Sequence, residues 1–134
     1  MDKKRKLAHI ARMPIRWGDM DAYGHVNNTV YFRYMEQARV EWIEALGVQV
    51  RPGGDGPVII NAACTFLKPM NYPGTVEVRT YVDHPGRSSV QSHVEMLIDG
   101  DLYAEGAAKI VWMNMLSGKS VPIPDHVRAV LEAE

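Results

Sequence analysis

Asp19, Asp21, His25, Asn27 and Asn28 all fall within the ten-residue run Asp19–Asn28 (DMDAYGHVNN). A carboxylate in such a run can act as a nucleophile or as a general base on water. The run stops where a helix is predicted to begin. Unpaired N–H groups and the helix dipole at that point stabilise negative charge developing on a bound carbonyl. Those two parts suffice to hydrolyse an activated acyl group such as a thioester. The same residues also have an ordinary structural reading, because Asp and Asn before a helix cap it or shape turns, and Gly24 permits a turn.

Other chemistries find little support. Asp19, Asp21 and His25 are ligand types, but no HExxH or paired Cys/His spacing accompanies them, so no metal is expected. There is no GxSxG elbow, P-loop or GxGxxG, and no cofactor is expected. Cys64, the single cysteine, lies in an apolar segment and reads as a structural thiol rather than a nucleophile.

The elements that must position the run follow from periodicity. Between His9 and Trp17, alternate residues His9, Ala11, Met13, Ile15 and Trp17 form one face of a strand, with Pro14 marking an edge or bulge. Asn27 or Asn28 caps a helix that runs to Leu46 and stops at Gly47. Tyr31, Tyr34, Met35, Ala38, Trp42, Ala45 and Leu46 form its apolar stripe, while Glu36 and Arg39 stand three apart as a possible ion pair. Arg51–Pro57 is a turn-rich connector. Strands are predicted at Val58–Leu67, Thr75–Val82, Ser88–Ile98 and Leu102–Met113, with Asp99-Gly100 as a hairpin turn and Pro124–Glu134 as a short final helix. One long helix and a largely antiparallel sheet, segregated in sequence, make an α+β fold in one domain over residues 1–134.

Bulk properties set the outer bounds. The 134 residues are 46% hydrophobic and 23% charged, with a net charge of -1, which gives no reason to expect a nucleic-acid partner. No apolar run is long enough to span a bilayer, and the basic cluster Lys3–Lys6 reads as a solvated terminus without a following signal-peptide core. A cytoplasmic location without membrane insertion is expected.

The run Arg16–Gly47 closely resembles the start of the hotdog-fold 4-hydroxybenzoyl-CoA thioesterase-like family. It shares the D-x-D-x-x-G-H-V-N-N loop at Asp19–Asn28, the aromatic segment Tyr31–Tyr34 and the E-x-A-R stretch Glu36–Arg39. Thr65–Val78 (TFLKPMNYPGTVEV) and Gly86–Val90 (GRSSV) are similar to two further segments of that family, in the right order.

The resemblance implies a long central helix wrapped by a curved antiparallel sheet of about five strands. It implies sheet-to-sheet pairing of subunits, as a homodimer or homotetramer, with sites at the subunit interface. It also implies an acyl-CoA substrate, with Asp21 as the catalytic carboxylate (nucleophile or base) and His25 as its assistant. Backbone N–H groups near Val26–Asn28 would polarise the thioester oxygen. Asp19 would structure the loop. Asn27 and Asn28 are substrate-side candidates whose simpler role is to order the loop and cap the helix. Lys68, Arg87, Ser88 and Ser89 are candidates for holding the coenzyme A phosphates. A hotdog hydratase acting on enoyl or hydroxyacyl thioesters, and a non-catalytic acyl-CoA-binding module, are the alternatives.

Overall fold

A computed structural model describes residues 5–49 and 51–133. Lys3 and Lys4 of the basic cluster, and Glu134 of the final segment, lie outside the described residues. Five strands form one antiparallel sheet: β1 (Lys6–Pro14), β2 (Asp55–Phe66), β3 (Thr75–Val82), β4 (Ser89–Ile98) and β5 (Asp101–Asn114). Their order across the sheet is β1-β3-β4-β5-β2, so β1 and β2 are its edges. Pro14 ends an edge strand, where its missing N–H breaks no central ladder bond.

Helix α1 (Asn28–Ala45) lies between β1 and β2 in sequence and packs on the inner face of the sheet. Its 18 residues extend roughly 27 Å. Asn27 is the N-cap: its Oδ1 accepts from the Thr29 N–H at 2.9 Å. Leu46 is the C-cap, and Gly47 follows at φ 78°, the left-handed conformation that ends helices. Of the expected stripe Tyr31, Tyr34, Met35, Ala38 and Trp42 are buried, Leu46 is half-buried, and Ala45 in the last turn is exposed. The possible Glu36–Arg39 pair is not formed; Glu36 instead accepts from Arg33 at 2.9 Å, one turn toward the helix start.

Period-two patterning on β3 and β4 sends Val76, Val78, Val94 and Met96 inward to pack with Tyr31, Tyr34 and Met35 of α1, and Val82 and Val90 to pack with Trp42 and Trp112. The hairpin β4–β5 turns on Asp99 (φ 50°) and Gly100 (φ 84°), the positive-φ pair that its right-handed twist favours. Helix α2 (Asp125–Glu132) closes the far end of the sheet, with Val127 and Leu131 packed among Trp42, Ile110 and Trp112. Burial of each such large side chain is worth about 1.5–3 kcal/mol.

Two expectations are corrected in detail. Trp17 does not continue the β1 face: the chain leaves the strand at Pro14 and makes a 3-10 turn at Trp17–Asp19, which leaves Trp17 76% exposed. The connector at 51–57 is shorter than its composition suggested, because β2 begins at Asp55.

Candidate active site

The chain from Met20 to Val26 is pinned at both ends. A Met20–Val26 bridge closes a loop over Asp21–His25, and the Asp21 N–H donates to the His25 carbonyl at 2.8 Å. Inside it the Gly24 N–H donates to the Asp21 carbonyl at 3.0 Å, with Gly24 at φ 80°. This turn needs the left-handed conformation that glycine adopts freely. The Val26 N–H donates to the Met70 carbonyl at 2.9 Å, which anchors the loop to the segment leaving β2.

The two aspartates of the loop have different surroundings. Asp19 Oδ2 accepts from the Tyr34 hydroxyl at 2.8 Å and from the Arg16 N–H at 2.9 Å, while its carbonyl accepts from the Asn27 N–H at 2.9 Å. Through Oδ2 it ties the loop to α1, while Oδ1 has no partner among the described residues. Burial, and then the Asp19 carboxylate, push the Tyr34 hydroxyl well above the ordinary phenol range, so it remains a donor. Asp21 likewise uses one carboxylate oxygen, but for bonds within its own loop. Its Oδ1 accepts from the Tyr23 N–H at 2.9 Å and more weakly from the His25 N–H at 3.5 Å. Oδ2 has no partner among the described residues.

Of the N–H groups at the helix mouth, Val26 donates to Met70, Asn27 to Asp19, and Thr29 to the cap. The N–H of Asn28, the first helical residue, has no partner among the described residues. The proposed polarising region Val26–Asn28 thus narrows to one unengaged donor.

Asp21, His25, Asn27, Asn28 and Lys68 line one cavity of about 450 Å³. Tyr31 and Phe66 form its aromatic wall, stacked edge to face with ring centres 4.8 Å apart. The Tyr31 hydroxyl accepts from the Met70 N–H at 3.3 Å and donates to the Lys68 carbonyl at 3.4 Å, fixing the strand exit as the opposite wall. Lys68 Nζ lies 5.0 Å from the centre of the Tyr103 ring.

A larger concavity of about 640 Å³ lies on the outer face of the sheet, walled by residues such as Tyr81, His93, Glu95 and Glu105. Its walls include the edge strand β2 as well as β3, β4 and β5, and none of Asp21, His25, Asn27 or Asn28 lines it.

Arg87, Ser88 and Ser89 are not brought to the Asp21 cavity within the protomer. Phe66 pairs with Ala104 at the cavity end of β5, whereas Ser89 pairs with Val111. Seven residues of strand separate 104 from 111, roughly 23 Å. The turn instead serves the fold: the carbonyls of Gly86 and Arg87 accept from Arg128 on α2, and that of Ser88 from the Trp112 N–H. Cys64 faces the core on β2, and burial pushes its thiol up to about 11. One neighbour of the site was missed from sequence. Asn71 sits 2.9 Å from His25 Nδ1 across a separation of 46 residues, which no local pattern signals.

Comparison with known proteins agrees with this architecture. The model of the thioesterase-like superfamily matches residues 15–131. The PA2801 protein of Pseudomonas aeruginosa superposes with a TM-score of 0.89 at 43% identity, covering 94% of this chain and 99% of that one. The BH1999 gentisyl-coenzyme A thioesterase superposes at 0.80 with 26% identity, covering 91% and 98%. An acyl-acyl carrier protein thioesterase of Arabidopsis thaliana, ATL2, is 28% identical over 130 residues, 90% of this chain and 66% of that protein. With a long helix laid on a curved five-stranded antiparallel sheet, the chain belongs to the thioesterase-like superfamily of hotdog-fold thioester hydrolases.

Proposed function

We propose that the protein hydrolyses acyl-CoA thioesters to the free acid and coenzyme A, with Asp21 as the catalytic carboxylate. The observation that carries this reading is that Asp21 and Asn28, which hold an unengaged oxygen and an unengaged N–H among the described residues, line one cavity at a helix start. A thioester carbonyl set against the Asn28 N–H gains a hydrogen bond that strengthens as the oxygen becomes an oxyanion. Asp21 Oδ2 then either removes a proton from the attacking water or attacks the carbonyl itself to form an anhydride that water opens. In both routes the C–S bond breaks and the thiolate leaves, taking up a proton. Anchoring of Oδ1 by the Tyr23 N–H holds the other oxygen in place without consuming it.

His25 supplies a polar contact to the thioester at the cavity wall, and Lys68 is the cation positioned to meet a phosphate of the coenzyme. Coenzyme A as carrier is favoured by the likeness to a CoA thioesterase over nearly the whole of both chains. The exposed edge of β2, with Ile60 and Phe66 52% and 40% accessible, favours a homodimer paired through that strand in a cytoplasmic enzyme. A panel of short, long and aromatic acyl-CoAs, assayed by release of free thiol, tests the reading. Hydrolysis of at least one class supports it; binding of the panel without any thiol release contradicts it.

A further inference from the structure

The Asn71 side chain carries information about the proton on His25. The amide atom that lies 2.9 Å from His25 Nδ1 also lies 2.9 Å from the Gly24 carbonyl and 3.0 Å from the Met70 carbonyl. Two of those neighbours are obligate acceptors, so the atom is the amide nitrogen, and it donates. The amide has two hydrogens shared among these three neighbours, and a protonated Nδ1 at 2.9 Å would set N–H against N–H, so only a lone pair on Nδ1 is compatible with this contact. The neutral ring then carries its proton on Nε2, the nitrogen that has no partner among the described residues.

The other paired histidines are held differently. His9, His93 and His84 each meet a carboxylate through Nε2, from Glu41 at 3.3 Å, Asp83 at 3.0 Å and Glu132 at 3.9 Å. His25 alone among these four faces an amide, one that also lies against two carbonyls. Those carbonyls belong to the ends of the structure being held: Gly24 to the Asp21 turn, Met70 to the strand exit that receives the Val26 N–H.

We propose that Asn71 is a positioning residue that fixes His25 as the Nε2-protonated tautomer, so that His25 presents an N–H donor, not an acceptor, to the thioester. This rests on the reading of the Asp21 cavity as the reaction site, and it assigns His25 the role of a hydrogen-bond donor rather than a base. With Nδ1 engaged by Asn71 and Nε2 already protonated, the neutral ring has no free lone pair with which to take a proton from water. That task falls to Asp21.

The test is nitrogen NMR of protein carrying 15N-histidine, at about pH 8 where an ordinary imidazole is neutral, with the His25 signals identified by their loss in His25→Gln. Unmodified protein is expected to show Nδ1 as the unprotonated nitrogen and Nε2 as the protonated one. Asn71→Asp, which puts an acceptor in place of the donor, is expected to move the proton to Nδ1. In parallel, Asn71→Ala is expected to lower kcat about tenfold with KM within about twofold. That is less than the hundredfold or more typical of deleting a transition-state donor outright. A protonated Nδ1 in the unmodified protein, or an unchanged tautomer in Asn71→Asp, overturns the proposal. An unchanged kcat in a folded Asn71→Ala removes its catalytic consequence. The NMR measurement needs no turnover, so a protein that hydrolyses none of the acyl-CoAs yet shows the expected tautomer refutes the reaction and not the arrangement.

Discussion

The Tyr34 hydroxyl donates to Asp19 Oδ2 at 2.8 Å, from the second turn of α1 back to the loop that precedes it. This bond separates the two aspartates of the D-x-D run. The Asp19 carboxylate ties the loop to the helix; the Asp21 carboxylate bonds only within its own loop, and Asp21, unlike Asp19, lines the cavity at the helix start. Tyr34→Phe leaves a carboxylate short of a donor at a site where the ring is 5% exposed. Unfolding free energy is expected to fall by about 1.5–3 kcal/mol, the range for a hydrogen bond to a charged group. Denaturant titration measures it, and a change below about 0.5 kcal/mol would show that the bond is not holding the loop.

Asp19→Asn provides the matching contrast. The amide keeps one acceptor oxygen but loses the charge that Tyr34 and the Arg16 N–H both address. Stability is expected to drop by about 1–2 kcal/mol, while kcat of the remaining folded protein stays within about fivefold of the parent. A loss of kcat as deep as that of an Asp21 variant would place Asp19 in the chemistry instead.

The sequence made the pieces of this site legible, but not all of their relations. Asn27 was readable as a cap because its type and its place before an apolar stripe are local signals, and Asp99-Gly100 announced the hairpin for the same reason. Trp17 misled, since alternation through Ile15 gave no sign that the Asp19 carboxylate would accept from the Arg16 N–H and close a 3-10 turn there. Glu36 has a cation three residues away on either side; side-chain direction on the helix, which spacing does not show, gives it Arg33. Arg87, Ser88 and Ser89 were recognisable as a turn, yet their distance from Asp21 depends on strand register. Asn71 meets His25 only through the tertiary fold.

Gly106 sets how closely α1 approaches the sheet. A Cβ there would stand 2.9 Å from Met35 Sδ and 3.0 Å from the Ala63 carbonyl oxygen. The methionine can move, but the backbone of β2 has little room. Gly106→Ala is expected to cost about 1–3 kcal/mol. Combined with Met35→Ala it should cost less than the sum of the two single changes, because part of the clash is removed. Thermal denaturation of the four proteins checks both points; strict additivity would show that Met35 is not the obstacle.

Cys64 supplies a pH-dependent prediction. With its thiol pushed up to about 11 by burial, the reactive thiolate is scarce at neutral pH. Alkylation of the folded protein is expected to accelerate roughly tenfold per pH unit from about pH 8 to pH 10, without the plateau that an ordinary thiol shows above its pKa of about 8.5. Cys64→Ala should leave thioester hydrolysis within about twofold of the parent. Rapid labelling at pH 7, or abolished hydrolysis in Cys64→Ala, would contradict the structural role given to this thiol.

The proposed chemistry rests on Asp21, whose Oδ2 has no partner among the described residues and which lines one cavity with Asn28. Asp21→Asn preserves the Oδ1 anchor to the Tyr23 N–H while replacing the reactive oxygen by an amide nitrogen. The deciding measurement is kcat of Asp21→Asn on the best acyl-CoA of the panel, alongside its thermal denaturation midpoint. The expected result is a fall of about 10²–10⁴ in kcat with the midpoint near that of the parent protein. Undiminished hydrolysis by a folded Asp21→Asn would remove Asp21 from the mechanism.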